Sequence, residues 1–267
     1  MTPAPLDALA PHAVLHALLA HAGEELLRWA DGRIAVRTKG DGSPVTEADL
    51  AAERVLLAGL AERWPEDGIV SEEGARRTGT SGAHWVVDPL DGTSAFVEGL
   101  AHWGPTVARI HAGRVTEGAI LLPRTGEFWH VRAGSAVHVR NGVTLPLPLT
   151  TPSSAPVLLV PSEQHRVGQL RWDGKARCLG GTAAHLGLVA RGSARAVIVA
   201  QGWSVWDVAA GLALIDAAGG KACALTDGQA LSLTDDGPRP AFVAGDPTVV
   251  DALRRTGAWR TVAASER

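Results

Sequence analysis

Residues 84–93 read His84-Trp85-Val86-Val87-Asp88-Pro89-Leu90-Asp91-Gly92-Thr93. The run from His84 to Leu90 has the Val-rich composition of a buried strand, and Pro89 with the Asp91-Gly92 pair reads as the turn that ends it. Such a strand delivers Asp88 to its C-terminal edge, with Asp91 three residues on. The two carboxylates can then converge on one point, with the Leu90 carbonyl between them as a third oxygen. Hard divalent cations such as Mg²⁺ take this all-oxygen donor set. Gly92 and Thr93 stand at the start of a short helix, where free backbone N–H groups can hold a phosphate. The competing reading is a plain strand-ending turn, because Asp-Gly is common in turns.

Upstream, Leu15, Leu18, Leu19, Leu26 and Leu27 recur at helical spacing within 6–30, and Asp31-Gly32 ends the run. A turn follows at Lys39 to Pro44. A second helix is expected from Thr46 to about Trp64, with Leu50, Leu57, Leu60 and Trp64 on one face. Downstream, short strand-like runs separated by glycines fill Thr106 to Val139. This first half is therefore helices followed by strands, an α+β pattern. Leu145 to Pro156 contains four prolines among Ser and Thr and reads as a linker. Beyond it the pattern alternates: strands at Val157–Val160 and Ala196–Val199, helices at Thr182–Ala190 and Val205–Ala218, the last stopped by Gly219-Gly220. The expected division is an α+β half over 1–145 and an α/β half over 146–267, with the first carrying most of the candidate ligands.

The chain has 267 residues, 46% apolar and 20% charged, an ordinary globular balance. A formal charge of −3 offers no basic field for a nucleic-acid partner. Cys178 and Cys223 are the only cysteines, so neither a zinc spacing nor a disulfide framework is present, and both read as buried thiols in a reducing cytosol. The start of the sequence, with Asp7 and Glu24-Glu25, has no basic head before an apolar run, and no stretch approaches the roughly 20 apolar residues of a membrane span. The expectation is a cytoplasmic protein with no membrane partner.

Three further acidic stretches stand at element ends. Glu72-Glu73 follows the apolar Ile69-Val70; it is either solvated charge or the extra carboxylate that a two-metal site needs. Thr46-Glu47-Ala48-Asp49 resembles a capping box, and Asp49 either caps a helix or orients a threonine hydroxyl or water near metals. Asp207, in Trp206-Asp207-Val208-Ala209-Ala210-Gly211, lies in a first helical turn, where an acid favours the helix dipole. Small Ala209, Ala210 and Gly211 would also let that helix pack closely enough to bring Asp207 to the Asp88/Asp91 edge.

Together, Ser43-Pro-Val-Thr-Glu-Ala-Asp49, Ser71-Glu-Glu73, Trp85-Val-Val-Asp-Pro-Leu-Asp-Gly-Thr93, Gly181-Thr-Ala-Ala184 and Trp206-Asp-Val-Ala-Ala-Gly211 resemble, in order and across nearly the whole chain, the inositol monophosphatase family of Mg²⁺-dependent, lithium-sensitive phosphatases. The resemblance implies a layered α-β-α-β-α sandwich with the active site between its halves. It implies two or three Mg²⁺ ions: Glu72, Asp88 and the Leu90 carbonyl at the first, Asp88, Asp91 and Asp207 at the second, and Glu72 at a weaker third. Thr93 with Asp49 would orient and help deprotonate water, which makes Asp49, Glu72 and Thr93 the catalytic candidates. Asp91, Gly92, Thr93, Gly181, Thr182 and Ala183 would meet the substrate, a small phosphorylated metabolite. Lys39 lies near a lysine that many relatives carry, and the resemblance also implies a homodimer.

The substrate branch stays open. Many inositol monophosphatases carry a glutamate about seven residues before the motif aspartate, but here Val199-Ala200-Gln201-Gly202-Trp203 has no acid. The Ser43–Asp49 opening and Phe96 to Gly104 are similar to histidinol phosphatases, and Ser43–Asp49 also to 3′(2′),5′-bisphosphate nucleotidases. Gly181-Thr-Ala-Ala is closer to the inositol and fructose bisphosphate branches. A catalytically silent binding module and a two-metal nuclease are the readings from other classes.

Overall fold

A computed structural model describes residues 11–32, 35–38, 40, 44–145, 147, 156–234 and 239–261. Residues 6–10, Lys39, Ser43 and nearly all of the expected linker lie outside the described residues. The first part of the chain runs α1 (Pro11–Ala30), β1 (Val36–Thr38), β2 (Pro44–Thr46), α2 (Glu47–Arg63), β3 (Gly68–Ser71), β4 (Arg76–Arg77), β5 (Ala83–Asp91) and α3 (Thr93–Val97). Four long or medium strands follow, β6 (Gly104–His111), β7 (Arg114–Leu122), β8 (Glu127–Arg132) and β9 (Ser135–Arg140), then β10 (Val143–Leu145). The second part is β11 (Val157–Leu159), α4 (Gln164–Val167), β12 (Gly168–Leu170), β13 (Lys175–Arg177), α5 (Thr182–Ala190), β14 (Ala196–Val199), α6 (Val205–Ala217), β15 (Lys221–Ala224), β16 (Phe242–Gly245), α7 (Pro247–Arg255) and β17 (Trp259–Thr261).

Eight strands form one sheet in the order β10-β9-β8-β7-β6-β5-β3-β4, and five form another, β13-β11-β14-β16-β15. On one face of the large sheet, Leu15, Leu19, Ala22 and Leu26 of α1 and Ala48, Ala52, Leu56 and Leu60 of α2 pack on Ile69, Val87, Val107 and Phe128. On the other, Ala184, Leu186 and Leu188 of α5 and Val208 and Leu214 of α6 pack against Ile120, Trp129 and Val131, and also against Val197 and Phe242 of the small sheet. Val250 and Leu253 of α7 close the far side with Leu158, Ile198 and Val243. The layers are thus helix, sheet, helix, sheet, helix, the α-β-α-β-α sandwich expected.

The buried face of α2 differs from expectation. Ala48, Ala52, Leu56 and Leu60 are fully buried, whereas Leu57 and Trp64 only flank that core. Ala48, Ala52, Leu56 and Leu60 form the stripe that faces α1 and β5, which leaves Leu50 and Leu57 at its margin. Cys223 is buried, but Cys178 is exposed, because it follows edge strand β13 rather than lying inside a sheet.

The strand quoted at the outset runs past Pro89 to Asp91. Asp88 pairs with Thr106 and Asp91 with Gly104, so three steps on β5 face two on β6. This is a one-residue bulge, and it accommodates a proline that cannot donate to the ladder. In an unbroken strand, residues three apart point to opposite faces. The bulge brings Asp88 and Asp91 to the same side.

Candidate active site

Four carboxylates reach one cavity from three elements. Glu72 follows β3, and its N–H bonds to Val87 O at 3.0 Å, keeping it level with the end of β5. Asp88 and Asp91 come from the bulge of β5, and Asp207 from the first turn of α6. The cavity has a volume of about 610 Å³ and is lined by these four together with Leu90, Gly92, Thr93, Gly181 and Thr182. Of the residues expected at the site, Asp49 and Ala183 stand just behind its wall, both buried.

Asp49 is both a cap and a site residue. Its Oδ2 accepts from Thr46 N at 2.8 Å and from Thr46 Oγ1 at 2.6 Å, while Thr46 Oγ1 accepts from Ala48 N at 3.1 Å, a reciprocal capping box. Oδ1 remains for Thr93, whose Oγ1 lies 3.1 Å from it and 3.1 Å from Leu90 O. The single hydroxyl proton points to that side, leaving the oxygen lone pairs of Thr93 for the cavity. Burial pushes the Asp49 carboxyl up, against the hydrogen bonds from Thr46 and Thr93 that favour its charge.

Asp88 Oδ1 accepts from Leu90 N at 2.9 Å. Burial first, and then the nearby charges of Glu72, Asp91 and Asp207, push its carboxyl well above the usual range. Asp91 caps α5: Oδ1 accepts from Thr182 N at 3.0 Å, and Oδ2 from Ala183 N at 2.9 Å and Ala184 N at 3.4 Å. Burial and then the Asp207 charge push Asp91 up to about 8, although the helix N–H groups favour its ionised form. Asp207 accepts from Ser204 N at 2.8 Å. Its first-turn capping role and its presence at the site therefore coexist. Among the described residues, no group of three or more His, Cys, Asp or Glu side chains is gathered to hold a metal ion as it stands; Asp91 turns toward the first N–H groups of α5 and Asp207 toward the N–H of Ser204, which precedes α6.

At Gly92 the two parts of the chain come into close contact. It adopts φ +86°, open to glycine at no steric cost, and a β-carbon on it would lie 2.9 Å from Gly181 Cα. Gly181 in turn leaves no room for a side chain beside the Asp91 carboxylate.

Residues 11–262 match the inositol monophosphatase family over nearly the whole chain. The chain belongs to the inositol monophosphatase family. Members of that family are phosphoric monoester hydrolases. A histidinol-phosphatase of Chlorobaculum parvum is 35% identical over 196 residues, 70% of this chain and 74% of the relative. A Streptomyces griseus protein named glucose-1-phosphate thymidylyltransferase is 36% identical over 225 residues, 76% of this chain and 83% of the relative. The fold is also that of an inositol monophosphatase from Thermotoga maritima, with a TM-score of 0.76 at 22% identity over 91% of this chain and 94% of that one.

In this inositol monophosphatase fold the cavity wall includes Ser94, Glu98, Ser162, Glu163 and Cys178, none of them anticipated from the sequence. Ser162 Oγ lies 3.3 Å from Cys178 Sγ. A second cavity of about 400 Å³, reaching Gln201, Trp203 and His185, shares Ser94, Ser162, Glu163, Gly180, Thr182 and Asp207 with the first. The lone Ser, Glu and Cys of these loops carry no motif, so only folding reveals their place. Among the described residues no helix is long and apolar enough to cross a membrane.

Proposed function

We propose that this chain hydrolyses a phosphate monoester on a small soluble metabolite in the manner of an inositol monophosphatase, with Mg²⁺ as cofactor. The observation that carries this reading is the convergence of Glu72, Asp88, Asp91 and Asp207, from three elements, on one cavity of about 610 Å³. The donor set fits a hard divalent cation. It is all oxygen, and the burial and crowding that push Asp88 and Asp91 up would be relieved by positive charge among them.

In this reading Glu72, Asp88 and the Leu90 carbonyl would hold a first ion, Asp88, Asp91 and Asp207 a second, and Glu72 would contribute to a third. Bound there, the ions would neutralise the phosphate and make water a competent nucleophile near neutral pH. Asp49 holds the Thr93 hydroxyl; paired with Asp49, Thr93 would orient the attacking water and pass its own proton to Asp49 as it takes one from the water, while the phosphorus–oxygen bond to the leaving group breaks and that oxygen takes a proton from bulk water. The N–H groups of Gly92 and Thr93 bind phosphate oxygens. Gly181 and Thr182 line the side toward the leaving group, with Ala183 behind them. The two halves, 1–145 and 146–267, supply different walls of this site, a division supported by the change of sheet between Leu145 and Val157. The same reading takes the protein as cytoplasmic and homodimeric, with no nucleic-acid or membrane partner.

Inositol phosphates, histidinol phosphate and 3′(2′),5′-bisphosphate nucleotides are the candidate substrates. Phosphate release is to be measured from inositol 1-phosphate, histidinol phosphate, fructose 1,6-bisphosphate and 3′-phosphoadenosine 5′-phosphate, in Mg²⁺ and in EDTA. One ester clearly preferred, and only in Mg²⁺, supports the reading. Equal release in EDTA, or none from any ester by a protein that binds Mg²⁺, overturns it in favour of other chemistry or a silent binding module.

A further inference from the structure

The chain approaches α5 in an extended segment, 178–181, and turns into the helix between His102 and the Asp91-Gly92 bend. Gly180 forms a parallel bridge with His102, and Gly181 N donates to His102 O at 2.8 Å. Asp91 grips the far side through Thr182 and Ala183. A third tie is a side chain. His185, one turn into α5 and 3% exposed, accepts the Leu179 N–H on Nε2 at 3.0 Å. A ring nitrogen that accepts carries no proton, so the imidazole is neutral, with its proton on Nδ1. Burial pushes its pKa down to about 4, which keeps it so. Every other residue of α5 is small or aliphatic apart from Thr182, and none of those side chains could close the turn in this way.

We propose that His185 is a positioning residue: by accepting the Leu179 N–H it fixes the turn into α5, and through Thr182 and Ala183 the attitude in which Asp91 shares a divalent cation with Asp88 and Asp207. This rests on the metal reading given above. His185 touches neither phosphate nor metal in this scheme and acts only through the turn.

The test is Mg²⁺ binding by calorimetry on the full chain, alongside kcat and the Mg²⁺ concentration for half-maximal phosphate release. His185→Leu leaves the Leu179 N–H without its partner and is expected to weaken Mg²⁺ binding about tenfold, with kcat at saturating Mg²⁺ within about twofold of wild type. His185→Gln, whose amide oxygen can take the place of Nε2, is expected to recover most of the affinity. Unchanged Mg²⁺ affinity in His185→Leu, even with a lower Tm, overturns the proposal, and so does a His185→Gln variant as weak as His185→Leu. Should His185→Leu fail to fold, His185→Gln is compared with His185→Asn, whose shorter amide does not reach Leu179. Weaker binding in Asn than in Gln supports the proposal, and equal binding overturns it. Wild-type protein that takes up no Mg²⁺ overturns the metal reading together with this one, whereas wild-type uptake matched by His185→Leu removes this one alone.

Discussion

Asp88 is 2% exposed, among three other carboxylates. A charge so placed is tolerated only if protonated or met by a cation. Asparagine keeps the shape and removes the repulsion, so Asp88→Asn is expected to fold as well as wild type and to retain below about 1% of its activity. Asp207→Asn should behave alike, because asparagine can still accept the Ser204 N–H that closes the start of α6. Near-wild-type turnover by either would show that these carboxylates are not ligands. Thr93 plays a different part: its hydroxyl rests on Asp49 Oδ1 and Leu90 O. Thr93→Ala is expected to lower kcat about a hundredfold while Mg²⁺ affinity by calorimetry stays within about twofold of wild type. An equal loss in both quantities would make Thr93 part of the metal site instead.

Between elements, the Gly92–Gly181 contact closes one side of the site, and the loop before β3 ties down the opposite end of β5. A β-carbon at Gly92 would sit on a left-handed backbone and only 2.9 Å from Gly181 Cα, too close for van der Waals contact. Gly92→Ala is therefore expected to cost about 2 kcal/mol of stability and most of the activity, read by denaturant unfolding and phosphate release. At the other end of β5, Asp67 is 3% exposed and binds Arg109 Nε at 2.6 Å, Trp85 Nε1 at 3.1 Å and Ser81 Oγ at 2.5 Å. Hydrogen bonding to Arg109 holds its carboxyl below the ordinary value. The folded value is the lower one, so its contribution is present above the unfolded pKa and is lost as pH falls through the folded one. Asp67→Asn is expected to cost about 3 kcal/mol near pH 7, and the gap from wild type should narrow below about pH 4. A gap that does not change with pH would mean that shape rather than charge is what Asp67 supplies.

For the whole molecule, the site joins carboxylates from both parts of the chain, so the proposed cation binding would be linked to folding. Asp91 is pushed up to about 8. Its folded value lies above its unfolded one, so the stability it contributes is full below the ordinary carboxylate range and drains as pH rises toward about 8. On the proposed metal reading, protons and Mg²⁺ would compete for the same oxygens. In EDTA the Tm is expected to fall between about pH 5 and pH 8, and the increment from added Mg²⁺ to be larger near pH 8 than near pH 5.5. A Mg²⁺ increment independent of pH would place the ion elsewhere. What the amino-acid order alone determined is local. Apolar spacing marked α1, α5 and α6, Gly219 the end of α6, and the Asp88–Thr93 run the loop chemistry, because period, caps and turn residues act within a few positions of themselves. The layered fold was legible as motifs in order, and so were Glu72, Asp88, Asp91 and Asp207, the four carboxylates that converge on the cavity. Tertiary structure decided the rest. The bulge that turns Asp88 and Asp91 to one side depends on the register of β6. The capping of α5 by Asp91 spans 91 residues, the strands β15 and β16 stand only by pairing, and Cys178 faces the cavity because β13 is an edge. Contacts made across such separations depend on how layers stack, and a linear pattern carries no record of which distant backbone N–H a carboxylate will meet.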